Sequence, residues 1–347
     1  MVARGLEEEY VKILRDYLSG QGEDQLYGAQ QLGKWLLSRE ISPEELTDLH
    51  GRALEKLGEV PEFVRASFSI LTEVMIEYGI EHRSVNSWKS RHQQMESEIA
   101  VASAMQQTLL PREIPVYPSV DIGLVSVAAN QISGDFYNFI SHDDQRFSLT
   151  IADITGKGIP AAMCMSMVKY AMDSLGEIML GPDDMLRHLN RVVERNIDPS
   201  MFVTMLLGSY DTNTHRFRYA VAGHEPGFLY RAKTGRFYDL EGQGAALGLC
   251  PDTQYEEQEI QLEKDDVLIL LTDGVTERKI NRCYLQRDEL VSYLQAEVGG
   301  SAQQLADALY SKLLLLSRFE LPDDYTMIVL RRNESIAGRE AKDGSDN

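Results

Sequence analysis

Cysteine, positive charge and long apolar segments are all scarce in this sequence. Its 347 residues include three cysteines, and no two of them have the spacing of a zinc or redox motif. The first fourteen residues lack an apolar signal segment, and a run such as VLILL at 267–271 is too short to cross a membrane. These absences predict a protein of the reducing cytoplasm.

The shortage of positive charge narrows the range of partners. Lys and Arg number 34 against 54 Asp and Glu, which gives a formal net charge of −20. Because nucleic acids and anionic membrane surfaces are bound through Lys and Arg, we expect no nucleic acid and no membrane among the partners. Apolar and charged contents are otherwise ordinary, and the length allows two or three domains with a sizeable core.

The first 82 residues predict an all-helical bundle domain. Ser42 stands before Pro43, and Glu45 follows, which is typical of a capped helix start. Another helix begins at Pro61 and carries an apolar seam at steps of three and four residues, formed by Val64, Phe68, Leu71, Met75 and Tyr78. This seam is either the core of the domain or half of a dimer interface, and both interpretations stay open.

Residues 83–112 predict a linker helix, which Pro111 and Pro115 bring to an end. Trp88, Met95 and Ile99 lie on one stripe of this helix with a weak heptad spacing. Packing against the following domain and pairing in a two-stranded coiled coil explain the stripe equally well.

Beyond residue 113 the sequence changes to short β-branched or aromatic runs bounded by Gly, Asp and Asn, which predict strands. Strands and helices do not alternate regularly, so we expect an α+β domain over 113–333 with helices on the outer faces of its sheets. Helices are predicted at 159–178, 182–196, 286–297 and 301–317. The polar residues 334–347 predict a disordered tail.

Four strand ends of this domain carry aspartate: Asp135, Asp153, Asp273 and the pair Asp323-Asp324. A single aspartate in this position is typical of a turn. Four of them without a basic neighbour indicate a cation site, because a buried unpaired carboxylate is costly and Mg²⁺ or Mn²⁺ prefers oxygen ligands. The sequence therefore predicts a divalent metal site.

The segment Gly156-Lys157-Gly158 does not match a phosphate-binding loop. A P-loop requires G-x-x-x-x-G-K-[ST], and here a glycine follows the lysine. The dinucleotide fingerprint fails as well, because Ala161 occupies the place of its third glycine. The two glycines therefore predict a turn from strand to helix, with Pro160 in the first helical turn.

Six motifs follow one another along the second part of the chain: QTLLP (107–111), SGDFY (133–137), ADITGKGIPAA (152–162), AGHEP (222–226), TDGVTE (272–277) and DDYT (323–326). Their order and spacing resemble the bacterial serine phosphatases of the SpoIIE and RsbU type, a branch of the Mg/Mn-dependent type 2C (PPM) phosphatases. The resemblance covers residues 107–332, and the helical front resembles the N-terminal domain of the RsbU type. It implies a PPM-type β-sandwich flanked by helices.

The resemblance also implies a ligand set for two Mn²⁺ or Mg²⁺ ions. The implied ligands are the carboxylates of four aspartates and one backbone carbonyl, from Asp135, Asp153, Asp273, Asp323 and Ile154. Asp324 is the alternative to its neighbour Asp323. The family's usual V-G-G-D-F-Y-D is I-S-G-D-F-Y-N here, so Ser133 and Asn138 depart from the pattern, and Asn138 is a candidate for a neutral outer-shell group.

The implied reaction is removal of phosphate from phosphoserine by a metal-activated water. The implied substrate is a phosphorylated STAS-domain anti-anti-sigma protein, whose dephosphorylation activates an alternative sigma factor in the general stress response. A kinase-like switch protein would activate the enzyme by binding the N-terminal domain of a homodimer.

Two residues and two other functions stay open. Lys157 and His224 are candidates for phosphate contact or the outer shell, although a surface lysine and a structural histidine at a turn explain them as well. A non-catalytic scaffold of the same fold is one alternative function, but all four aspartates are retained. A phosphohydrolase for small molecules or nucleotides is the other, and the missing nucleotide loop and the added helical domain disfavour it.

Overall fold

The computed structural model describes residues 2–20, 23–39, 41–176, 180–280 and 283–334. The chain divides into two compact units, Met1–Glu96 and Ser97–Asn347. After Glu334, the predicted disordered tail lies outside the described residues. Among the described helices, none combines the length and apolar character that a membrane span requires.

The first unit is all helical, as predicted. Its helices are α1 (Val2–Gly20), α2 (Glu23–Ser38), α3 (Pro43–Leu57) and the first part of α4 (Glu62–Gln107). The Ser42 side chain accepts the Glu45 N–H, and the Glu45 carboxylate accepts the Ser42 N–H, so the predicted cap of α3 is present. The helix after Pro61 and the linker helix form one continuous element, because no proline interrupts residues 62–107.

The apolar seam of α4 is divided between two environments. Phe68 packs against His50, with 5.3 Å between the ring centroids, and Val64 and Met75 are likewise half-buried in the first unit. Leu71, by contrast, is exposed. It belongs to a row of exposed apolar side chains at heptad spacing, namely Leu71, Val74, Tyr78, Val85, Trp88 and Met95. We call this row the exposed seam.

The second unit contains two five-stranded antiparallel sheets with helices on their outer faces, which confirms the predicted α+β sandwich. One sheet has the order β1 (Val120–Val127), β12 (Tyr325–Arg332), β9 (Val267–Leu271), β6 (Gly227–Arg231), β7 (Arg236–Leu240). The other has the order β2 (Asp135–Ser141), β3 (Arg146–Ile154), β4 (Val203–Asp211), β5 (Arg216–Ala222), β8 (Gln258–Gln261). A short ribbon pairs β10 (Lys279–Ile280) with β11 (Cys283–Tyr284).

Helices cover both outer faces of the sandwich. They are α5 (Ile159–Gly176), α6 (Pro182–Asn196), the short α7 (Asp273–Thr276), α8 (Arg287–Glu297) and α9 (Ala302–Leu316). The predicted helices agree with α5, α6, α8 and α9 within two residues, apart from 177–178, which lie outside the described residues. The sequence did not predict β2, β6, β7, β8 or the β10–β11 ribbon.

Strand alternation separates the interior into layers. Along β3, Leu149 and Ile151 point between the sheets, where they pack with Leu268 and Ile328 of the other sheet. The opposite faces pack on α5 and α6 in one case and on α8 and α9 in the other. The two glycines after β3 have φ of 102° and 79°, which confirms the predicted turn between Asp153 and α5.

Candidate active site

The register of β2 and β3 brings the first two aspartates together. Asp135 begins β2 and stands directly opposite Asp153 near the end of β3. Both residues share the strand face of Tyr137 and Ile151, which points between the sheets. Two carboxylates therefore meet at one edge of the sandwich.

The other sheet supplies the remaining aspartates at the same edge. Asp273 follows β9, and Asp323 and Asp324 precede β12, the neighbour of β9 in its sheet. Gly274 has to be glycine, because a Cβ there would lie 1.8 Å from the Asp324 carbonyl oxygen. This close approach sets the spacing between the two aspartate-bearing turns.

Hydrogen bonds join the two sheets at this edge. The Thr272 hydroxyl, from the end of β9, donates to Asp135 Oδ2 at 2.8 Å. The Asp324 carboxylate accepts the N–H groups of Ala129 and Gly134, at 2.7 Å and 2.6 Å, and so holds the loop before β2. The two adjacent aspartates thus differ, because Asp324 is engaged in the loop while the side chain of Asp323 is 55% exposed.

Burial and mutual repulsion make the carboxylates costly to ionise without a cation. Burial raises the pKa of Asp135 well above its usual value, against the effect of its hydrogen bonds to two threonine hydroxyls. Burial, with repulsion from Asp273, Asp323 and Asp324, raises the pKa of Asp153 to about 7. Burial and the charge of Asp323 also raise the pKa of Asp273. A divalent cation would remove this cost.

The donor set fits a hard divalent cation. Carboxylate oxygens are the ligands that Mg²⁺ and Mn²⁺ prefer, and the Ile154 carbonyl faces Gly134 beside them, 2.9 Å from where a Cβ of that glycine would lie. Within the part of the chain that the structure describes, however, no three Asp, Glu, His or Cys side chains lie together as a complete metal site. Because the aspartates repel one another, we expect them to draw together only around a cation.

The other predicted site residues lie at different places. Lys157 is at the rim, with Nζ 3.9 Å from Asp323 Oδ1, where a phosphate group could meet it. Asn138 is three residues beyond Asp135, and therefore on the opposite face of β2, where it stands across from Thr150. The structure does not bring Asn138 to the carboxylates, contrary to the predicted outer-shell role.

His224 is buried beside Thr204, the residue that stands opposite Asp153 in β4. Its Nδ1 is 2.9 Å from the Thr204 hydroxyl, and the backbone of Leu271 also contacts the ring. Burial lowers the pKa of His224 to about 4, so the ring is neutral at physiological pH. This environment favours the structural interpretation over a general acid.

Several residues at the site escaped the sequence analysis. Thr272 and Thr326 contact Asp135, although only their positions inside two motifs could have indicated them. Gln106, near the end of α4, donates to the Ser133 carbonyl at 2.7 Å and accepts the Ser133 N–H at 3.0 Å. A cavity of 360 Å³ adjoins Asp273 and Asp323, and the buried Arg278 lines it.

Comparisons with known proteins agree with this arrangement. A family model for stage II sporulation protein E (SpoIIE) matches residues 143–333, and one for the N-terminal domain of phosphoserine phosphatase RsbU matches residues 8–81. Phosphoserine phosphatase RsbU of Bacillus subtilis is 43% identical over 328 residues, which cover 94% of this chain and 98% of that protein.

Solved structures share the fold of the second unit. The SiaA-PP2C domain of Pseudomonas aeruginosa has a TM-score of 0.61 at 18% identity and covers 70% of this chain and 99% of its own. RsbX in complex with magnesium has a TM-score of 0.50 at 16% identity and covers 64% of this chain and 99% of its own. At these identities the likeness shows the fold.

Proposed function

Because this chain belongs to the RsbU-type phosphoserine phosphatases of the SpoIIE family, we propose that it dephosphorylates a STAS-domain anti-anti-sigma protein and is switched on through its N-terminal unit. The family is PP2C-type and Mg/Mn-dependent, and RsbU acts in the partner-switching stress response. The observation that supports the proposal is that the four strand-end aspartates lie at the same edge of the sandwich.

The chain's own residues would bind and orient the phosphorylated serine. Asp135, Asp153, Asp273 and Asp323 would hold two cations, with the Ile154 carbonyl as a further ligand. Bound there, Mg²⁺ or Mn²⁺ lowers the pKa of water and neutralises charge on a phosphoryl group. Lys157, whose side chain is 67% exposed at the rim, is placed to meet a phosphoryl oxygen and release Asp323 from their ion pair.

The open rim supports a protein substrate. Lys157 and Asp323 are both more than half exposed, so a phosphoserine on a folded domain could approach without a lid having to open. The phosphate groups of a phosphoserine and of a free nucleotide would make the same contacts at the rim. Only the protein substrate has a polypeptide segment around its phosphate that would also contact the wall of the neighbouring cavity. A STAS-domain substrate accordingly suits both this site and the family.

The N-terminal unit supports partner-dependent control. Its match to the RsbU N-terminal domain covers residues 8–81, and we propose that it binds a kinase-like switch protein. The exposed seam on α4 supports a homodimer, since six apolar side chains at heptad spacing would be covered by a second copy in a parallel coiled coil. The activator, the dimer and a cytoplasmic location are parts of this proposal.

Gln106 offers a path from α4 to the carboxylates. Its two hydrogen bonds with Ser133 fix the backbone of the loop that ends in Asp135, only two residues away. Binding that moves or straightens the end of α4 would therefore reposition a predicted metal ligand. We propose this loop as the element through which the switch protein changes activity.

The test is phosphate release from a phosphoserine STAS-domain protein in Mn²⁺, with the switch protein absent or present. We expect release by the intact chain that rises with the switch protein and disappears in Asp153→Asn. Asp252→Asn, in an exposed turn with positive φ, is the matched control and should retain activity. Faster hydrolysis of free nucleotides than of the phosphoprotein would contradict the proposed substrate.

A further inference from the structure

Asp135 is the most deeply buried of the four predicted ligands, with an exposed fraction of 2%. A buried carboxylate that serves a cation needs groups that keep it oriented, because each of its two oxygens can otherwise turn toward any donor. The structure places two threonine hydroxyls against it, from Thr272 and Thr326. Both threonines are fully buried, and both come from the opposite sheet.

The Thr272 hydroxyl is directed toward Asp135, since the other acceptor within reach, the Thr326 carbonyl, is farther away at 3.5 Å. It accepts the backbone N–H of Thr326 at 3.1 Å, which occupies a lone pair and directs the O–H toward Asp135 Oδ2 at 2.8 Å. The backbone adds a second connection, since the Thr272 N–H donates to the Thr326 carbonyl at 3.0 Å. Thr272 is thereby fixed on both sides before it reaches the carboxylate.

The Thr326 hydroxyl continues this connection toward the surface. Its Oγ1 is 3.1 Å from Ser126 Oγ, and it also bonds to the Asp135 side chain. The chain of contacts runs from β1 through β12 and β9 to β2, and so crosses from one sheet to the other. An aliphatic side chain at either threonine would fill the same space but supply no proton to Asp135.

We infer that Thr272, supported by Thr326, is a positioning residue that holds the Asp135 carboxylate for a divalent cation. Its hydroxyl donates to Oδ2 and so restricts rotation of the carboxylate that would hold the ion. This inference rests on the metal-dependent function proposed above. It assigns the threonines a role toward the metal that is separate from packing.

The experiment measures Mn²⁺ affinity of the full chain directly, from the electron paramagnetic resonance signal of free Mn²⁺, for Thr272→Val and Thr272→Ser. Loss of an outer hydrogen bond to a ligand typically weakens metal binding about 10–100-fold. We therefore expect the dissociation constant to rise about tenfold or more in Thr272→Val and to stay close to that of the unaltered chain in Thr272→Ser.

Thr150→Val is the matched control. Thr150 is as deeply buried, and its hydroxyl has no hydrogen-bond partner among the described residues, so the same substitution removes no contact with a carboxylate. We expect its Mn²⁺ affinity to be unchanged. Equal weakening in Thr150→Val and Thr272→Val would overturn the inference, because it would reveal a general effect on the core.

Two further outcomes are informative. Unaltered affinity in Thr272→Val, with Mn²⁺ bound by the unaltered chain, would overturn this inference alone. Absence of Mn²⁺ binding in the unaltered chain would overturn the proposed metal site with it. Thermal unfolding in EDTA checks the fold, and if Thr272→Val is unfolded, Thr326→Val takes its place because it leaves the backbone hydrogen bonds intact.

Discussion

The carboxylate of Asp324 accepts the backbone N–H of Gly134 at 2.6 Å, so the last turn before β12 holds the loop before β2. Its neighbour Asp323 makes no such bond to that loop and is in ion-pair range of Lys157. The two adjacent aspartates thus differ in their contacts: Asp324 stabilises the loop before β2, and Asp323 lies at the rim of the site. Of the two alternatives that the sequence left open, this difference favours Asp323 as the predicted ligand.

Substitution of Asp324 should mainly lower stability, whereas substitution of Asp323 should mainly lower activity. Asp324→Ala removes two hydrogen bonds to a carboxylate, and we expect unfolding in urea to require about 3 kcal/mol less free energy. Asp323→Asn should leave the unfolding free energy nearly unchanged but abolish Mn²⁺-dependent phosphate release. The reverse pattern, with the larger loss of stability in Asp323→Asn, would contradict this assignment.

Removing the metal should make stability depend on pH. The pKa of Asp153 is about 7 in the fold against a usual value of 3.8, so the folded state holds its proton longer than the unfolded chain does. The free energy of unfolding should therefore fall as pH rises from about 4 to about 7 and then level off, by up to about 1.4 kcal/mol per pH unit for each such group.

Urea unfolding in EDTA at pH 5 and pH 8 measures this dependence. We expect the lower stability at pH 8, and saturating Mn²⁺ should restore it there because the cation binds the ionised carboxylates. Asp153→Asn should make the profile in EDTA less steep, because Asp135 and Asp273 also have raised pKa values. A metal-free protein that is more stable at pH 8 than at pH 5 would show that these carboxylates are not held at raised pKa.

The contact between Gln106 and Ser133 can be removed without a change in charge. Gln106→Leu leaves the Ser133 N–H and carbonyl without their partner, and we expect faster amide hydrogen exchange across residues 131–135 and lower phosphatase activity. Gln107→Leu, at the exposed neighbouring position, is the control and should alter neither. Unchanged exchange in Gln106→Leu would rule out this path.

The exposed seam predicts the oligomeric state. Trp88 is 63% exposed, and Trp88→Glu would place a charge where a second copy is expected to pack. Sedimentation should show a dimer for the unaltered chain and a shift toward monomer for Trp88→Glu. Lys89→Glu, next to it and also exposed, should remain dimeric, and equal dissociation in both variants would argue against a defined seam.

Local signals in the sequence were sufficient for much of the fold. The Ser42 cap and the start of α6 at Pro182 depend on neighbouring residues, and both are present as expected. The strand-end aspartates could be listed for the same reason, since each stands at one end of a short apolar run, Asp153 and Asp273 after it and Asp135 and Asp323 before it. Their approach to one another could not, because it depends on the register of β2 with β3 and on the packing of the two sheets.

The residues that the sequence analysis missed all act over long separations. Thr272 and Asp135 are 137 positions apart, and no periodicity connects them. Gln106 carries no signal of its own in the sequence, because its side chain hydrogen-bonds to a backbone 27 positions further on. Asn138 is the opposite case, because it is close to Asp135 in the sequence but not in space. It lies three residues further along the same strand, and side chains at an odd separation point to opposite faces of a strand.

The position of β12 has a consequence for biosynthesis. This strand is the last in the described part of the chain but lies between β1 and β9, and the Asp323-Asp324 turn directly precedes it. The ribosome therefore synthesises β12, a central strand of its sheet, only after β1 and β9. The edge that carries the aspartates cannot form until this last strand has been made. A polypeptide that stops short of residue 325 lacks β12, so we expect it to have no phosphatase activity.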